Sequence, residues 1–205
     1  MDTYDIYELM MIPPNKKTEM IVEELHKGVE ADLNLIKNLI VLGANLDWQG
    51  DSDSIWPVLH MFVIYNHLEI AKMLIDAGAD VNIRDEYERT ALHVCANWNH
   101  PEILGMLLDA GVDVNIQDER GETALYRCAW KNHPELARML IDARADVNIQ
   151  DDNGSTALHV CASDNNPEIA RMLLDAGADK TIQNNQRRFP YDLAISKGLK
   201  ELLKV

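Results

Sequence analysis

The chain has 205 residues, length for one or two domains, and 47% of them are hydrophobic, enough to fill a sizeable core. Lys and Arg number 19 against 34 Asp and Glu, and the net charge of −15 opposes the phosphate neutralisation on which nucleic-acid binding and adhesion to anionic lipid depend. No apolar run approaches the roughly 18 residues that span a bilayer, and Asp2, Asp5 and Glu8 stand where a secretory signal places basic residues. A cytoplasmic protein is expected, with export by a route that leaves no such signal still open.

Residues 1–16 read as an N-terminal segment or capping helix, with Tyr4, Tyr7 and Leu9 available ahead of Pro13 and Pro14 to cover the exposed end of a helical stack. Residues 17–205 read as a single repeat domain, because from here the sequence copies itself at a fixed period. LIKNLIVLGANLDWQ, residues 35–49, matches the second half of the later units and marks a degenerate first copy. Its Gly43 lies 35 positions before Gly78, and the two extra residues fall in an Asp-, Ser- and Gly-rich loop over 47–56. With Trp48 and Trp56 this loop is a second candidate for recognition, or only the seam of the N-terminal cap. Four well-formed units come next. The first is PVLHMFVIYNHLEIAKMLIDAGADVNIRD, and the others open at Thr90, Thr123 and Thr156, each 33 residues on. A C-terminal capping half-repeat opens at Phe189 as FPYDLAISKGLKELLKV.

Inside each unit the residue types predict two helices and a turn. Thr90, Thr123 and Thr156 are N-caps of a first helix whose buried face is Leu92, Cys95, Ala96 and their counterparts. Asn66, Asn99, Asn132 and Asn165 end that helix, since asparagine tolerates the left-handed conformation. Pro101, Pro134 and Pro167 then open a second helix where a missing N–H costs little. That helix buries Ile103, Leu107 and Leu108 and stops at Gly78, Gly111 or Gly177. D-V-N-I-x-D carries the chain to the next unit. Arg144 occupies the terminating glycine's position, where positive φ is expected.

T-A-L-H-V-C-A, N-H-P-E-I and L-I-D-A-G-A-D-V-N resemble the ankyrin repeat pattern over about residues 18 to 205, with Ala for Pro at 91, 124 and 157, Asn for Gly at the first helix end, and Tyr126 for His. The resemblance implies an all-α solenoid of stacked helix-turn-helix units with short β-hairpin-like turns.

The candidate chemistry is sparse. Cys95, Cys128 and Cys161 recur at one position, and neighbouring helices pack about 8–10 Å apart, beyond disulfide reach. They read as small core residues of a protein in a reducing compartment. His60, His93 and His159 recur at a second position and His67, His100 and His133 at a third. Their spacing lacks the i, i+4 face of a zinc helix, and the resemblance implies that the first set hydrogen-bonds within and between repeats. Asp85, Asp118 and Asp151 read as turn formers. With no G-x-S-x-G and no phosphate-cradling loop, neither enzyme activity nor a cofactor or metal is expected.

The resemblance places recognition on a concave face made of the turn tips and the exposed end of each first helix. By period, the helix positions are Ile64 and Tyr65, Asn97 and Trp98, Trp130 and Lys131, Ser163 and Asp164; the turn positions include Arg84, Tyr87, Arg89 and Arg120. Tyr65, Trp98 and Trp130 form an expected aromatic stripe flanked by Arg84, Tyr87, Arg89, Arg120 and Lys131, with Asp164 in the last unit. Tyr, Trp and Arg dominate interface hot spots. The alternative is that these aromatics pack against neighbouring turns and complete the core. The expected partner of this monomer is another protein, with a basic patch, bound as by an adaptor or an immunity-like inhibitor of a basic enzyme. A scaffold without a discrete hot spot is the second reading.

Overall fold

The computed structural model describes residues 6–27, 32–47 and 56–204. Tyr4, Trp48 and most of the 47–56 loop lie outside these residues, as does the Tyr7 side chain. The described helices are α1 (Ile6–Met11), α2 (Pro14–His26), α3 (Leu33–Val41), α4 (Val58–Ile64), α5 (Leu68–Asp76), α6 (Ala91–Trp98), α7 (Pro101–Asp109), α8 (Ala124–Lys131), α9 (Pro134–Asp142), α10 (Ala157–Asp164), α11 (Pro167–Asp175), α12 (Pro190–Leu193) and α13 (Lys197–Leu203). No strand occurs among the described residues.

Two helical layers result. α4, α6, α8, α10 and α12 pack in sequence as an inner layer, and α3, α5, α7, α9, α11 and α13 as an outer one. The inner helices meet across Ala91, Cys95, Ala96 and their counterparts in α4, α8 and α10, all buried, and come closer together than the outer helices, which curves the stack toward the inner layer. An inner helix is covered on both sides and from behind, so every residue of α6 from Ala91 to Ala96 is buried. In the outer layer one expectation is corrected. Leu104, not Leu108, joins Ile103 and Leu107 in the core, and Leu108 is only half-buried. The inward stripe of a helix this short is narrow, and the rotation of about 100° per residue carries Leu108 to its rim.

The caps form as the residue types require. Thr90 and Thr156 make capping boxes in which the hydroxyl accepts the N–H three residues on, and His93 and His159 take the part usually played by glutamate, their Nδ1 accepting the threonine amide at 3.1 Å. Pro57 stands at this position in the first full unit and has no N–H, so His60 Nδ1 is buried without a donor. Asn66, Asn99, Asn132 and Asn165 adopt φ between 54° and 59°.

The D-V-N segments tie unit to unit by a ladder. Asp113 Oδ1 accepts the Asn115 amide at 2.9 Å, and Asn115 Oδ1 accepts the amide of Asp146, one unit on, at 2.8 Å. The same rung joins Asn82 to Asp113 and Asn148 to Asp179. Thr181 replaces the asparagine in the last copy. The C-terminal piece folds as a shortened helix pair, α12 and α13; Leu199 and Leu203 face the stack, while Tyr191, and Ile195 between the two helices, face solvent. At the other end, Leu9 of α1 is buried and α2 packs on α3.

Arg144 has φ 67°, and the glycines at its position in other units have open space where a Cβ would stand. The side chain thus meets no clash, only the intrinsic cost of left-handed backbone. Arg144→Gly should raise stability by about 1 kcal/mol, read as a higher denaturant midpoint with an unchanged slope. A neutral result would show that Arg144 holds a compensating contact.

Candidate partner-binding surface

The four well-formed units each end in a five-residue turn, built in the first three on one buried carboxylate. Asp85 Oδ1 accepts the amides of Tyr87 and Arg89 at 2.9 Å, and the turn closes with Asp85 N–H on Arg89 O at 2.9 Å. Asp118 and Asp151 repeat this, and Asn184 does so with a neutral amide. Adjacent turns join through Glu119 N–H on Tyr87 O at 3.0 Å and Asp152 N–H on Arg120 O at 3.0 Å. Gly121 and Gly154 have positive φ, and a Cβ there would come within 2.9 Å of the next turn's backbone. Glu88 and Arg187 share that conformation without being glycine, which the residue types did not signal.

One oxygen of each buried aspartate remains, and a different residue answers it in each unit. Arg89 donates Nε to Asp85 Oδ2 at 2.8 Å, its guanidinium 4.7 Å from the ring centres of both Trp56 and Tyr87. Arg127, standing where neighbouring units have Val94 and Val160, reaches Asp118 Oδ2 at 2.6 Å and Glu122 at 2.9 Å. Tyr126 donates its hydroxyl to Asp151 Oδ2 at 2.9 Å. Burial pushes the Asp118 carboxyl up, but the Arg120 amide, Arg127 and the Glu122 amide together hold it below its ordinary value. Burial raises the Glu122 carboxyl, and burial beside Asp151 raises the Tyr126 hydroxyl. Arg89 is largely buried and held by these partners, while Arg84 and Arg120 extend from the turns.

The other end of the inner layer is different in kind. α6 ends at Trp98, about 200° round the helix from the buried Ala96, so its ring faces away from the core. Trp98 is 59% exposed, Trp130 50% and Tyr65 54%. Lys131 Nζ lies 4.2 Å over the Trp130 ring, and Asp164 is exposed at the matching position of the next unit. The nine expected residues thus fall into two groups. Arg84, Tyr87, Arg89 and Arg120 sit before the inner helices, and Tyr65, Trp98, Trp130, Lys131 and Asp164 at their far ends, a helix length of roughly 12 Å away. Of the expected flanking cations, only Lys131 lies on the Tyr65, Trp98 and Trp130 row; Arg89 stacks on Tyr87 instead.

The remaining polar groups bind the stack together. His93 Nε2 donates to Glu122 O at 3.0 Å and His60 Nε2 to Arg89 O at 2.9 Å, while His133 Nδ1 meets Ala96 O and Asn166 Nδ2 donates to Ala129 O in the preceding unit. Burial lowers His60 and His93 from 6.5 to about 4. The three cysteines are free and buried, and burial lifts their thiols, Cys161 to about 12. Such thiols are poor nucleophiles. Among the described residues no three His, Cys, Asp or Glu side chains are placed to hold a metal ion, and no helix is long and apolar enough to cross a membrane.

None of the curated proteins compared with the chain matches it. A family profile described as ankyrin repeats (3 copies) matches residues 25–118 and 110–184.

Proposed function

Since the chain belongs to the ankyrin repeat family, whose repeats generally mediate protein–protein interaction, we propose that it is an adaptor or inhibitor that grips a folded partner through the aromatic row Tyr65, Trp98 and Trp130. The observation that carries this reading is the exposure of Trp98 and Trp130, at 59% and 50%, at positions where the repeat framework asks for no aromatic side chain. Large rings held at the ends of rigid helices lose little entropy on binding, which is why such residues anchor interfaces. Lys131 and Asp164 border the row, and Arg84, Tyr87, Arg89 and Arg120 at the turns provide a second, peripheral contact. The chain's charge of −15 favours a partner with a basic patch, an enzyme blocked by occlusion being one such partner. A monomer acting in a reducing compartment is consistent with three free, buried cysteines.

The test is capture of the partner from the native cell beside a Trp98→Ala/Trp130→Ala variant, then titration of the purified partner. Each substitution should cost about 2 kcal/mol or more in affinity and leave the melting temperature nearly unchanged. Binding should survive high salt, because ring burial is not screened as exposed charge pairs are. A large drop in melting temperature with affinity intact would return the rings to a packing role.

A further inference from the structure

The chain's own cations show what its exposed rings accept. Lys131 lies 4.2 Å over Trp130, and Arg89 stacks 4.7 Å from both Trp56 and Tyr87. Among the described residues, no cation lies over Trp98, the most exposed of the tryptophans described. Trp98 occupies the repeat position that Lys131 holds in the next unit, so the internal cation and the open ring are neighbours one repeat apart.

Cations and carboxylates accompany each other along most of this row, and the surroundings of Trp98 are the exception. Glu69, Glu102, Glu135 and Glu168 are exposed in the first turns of α5, α7, α9 and α11, each four residues beyond Tyr65, Trp98, Lys131 or Asp164 across a tight inter-helix turn. These glutamates complement the helix dipoles. Lys72, Arg138 and Arg171 stand one turn beyond Glu69, Glu135 and Glu168, but Gly105 takes that place beyond Glu102, so the carboxylate four residues from Trp98 has no cation on its own helix. Lys131 is engaged with Trp130, and the nearby Lys37 is engaged with Glu69.

Resting on the reading of this row as the binding site, we infer that it takes a basic segment of the partner, an arginine side chain lying flat on the Trp98 ring with its N–H fork directed at Glu102. Arginine fits better than lysine, because a planar guanidinium stacks on a ring and keeps in-plane donors free for a carboxylate. Lys131 holds the Trp130 ring as an internal stand-in for a second such cation and sets the affinity below what the bare row would reach.

The probe is a dye-labelled twelve-residue arginine–glycine peptide, followed by fluorescence anisotropy at about 150 mM salt, beside the same peptide with citrulline, a neutral isostere, for arginine. Citrulline should weaken binding at least tenfold. Trp98→Leu, which keeps apolar surface but removes the ring, should weaken the arginine peptide about tenfold, and Trp98→Phe should recover most of that. Lys131→Glu should tighten binding several-fold, and Asp109→Asn, at the far end of α7, should change nothing. Thermal unfolding of each variant confirms that the fold is intact. Equal weakening by Trp98→Leu and Asp109→Asn would mean diffuse attraction to an acidic surface and would overturn the inference, as would failure of the arginine peptide to bind. If the natural partner still depends on Trp98 and Trp130 in that event, the proposed function stands and only the cation seat falls.

Discussion

At pH 5 the protein should unfold at a clearly lower denaturant concentration than at pH 7, having lost on the order of 3–4 kcal/mol of stability. The loss comes from His60 and His93, buried side chains that link one repeat to the next. His93 Nε2 donates to the Glu122 carbonyl, and its Nδ1 accepts from the Thr90 amide, which can only donate. The ring is held neutral in one tautomer, and a proton on Nδ1 would face an N–H. Burial depresses both groups from 6.5 to about 4. The unfolded chain therefore binds protons first. The stabilisation is complete above pH 6.5 and is lost as the pH falls from there toward 4, at roughly 2 kcal/mol per histidine by pH 5. Burial lowers His159 as well and adds in the same direction. Glu122, which burial raises, works the other way. The slope of unfolding free energy against pH between 6.5 and 5 should correspond to about two protons taken up. A flat profile over that window would mean that the histidines remain protonatable within the stack.

Much of this architecture was legible because its determinants are local. A threonine that caps, an asparagine that turns left-handed, a proline at a helix start and a glycine past a helix end each act within a few residues, and they recur every 33 positions. Arg144 was legible for the same reason, as a side chain where backbone geometry favours none. What the pattern could not supply were choices made across space by residues outside the repeat. Whether position 89 or position 127 answers a buried carboxylate depends on which side chain reaches it, and the hold of Asp85, Trp56 and Tyr87 on Arg89 is not visible in the period. A buried arginine at 127 is hidden in sequence, since charge at a core position normally argues for solvent. Its signal was available, though: an arginine where two other units have valine, with a glutamate at 122 where the turns at 89 and 188 have arginine. The candidate surface divided for a related reason. Period assigns equivalent positions, but it does not tell that the turn group and the helix-end group are separated by the length of an inner helix.

Arg127→Val should cost about 3 kcal/mol even though it restores the residue found at 94 and 160. Valine fills the apolar part of the site, but Asp118, buried, would keep only its two backbone amides, and its Oδ2 would lose the guanidinium 2.6 Å away. Glu122, paired to the same group at 2.9 Å and only slightly exposed, would be left as a second uncompensated carboxylate beside it. Removing one partner of a buried ion pair is expensive for this reason, whereas moving the cation need not be. The preceding unit shows the alternative: there the arginine is on the turn, at 89, and valine is on the helix, at 94. Glu122→Arg combined with Arg127→Val recreates that arrangement around Asp118 and should recover most of the lost stability, although Glu122→Arg alone, placing two arginines against one aspartate, should itself be destabilising. Denaturant midpoints of the four proteins give the coupling energy directly. A double variant no better than Arg127→Val would show that the turn at 118–122 cannot present its side chain as the turn at 85–89 does, and that the two ion-pair geometries are not interchangeable between repeats.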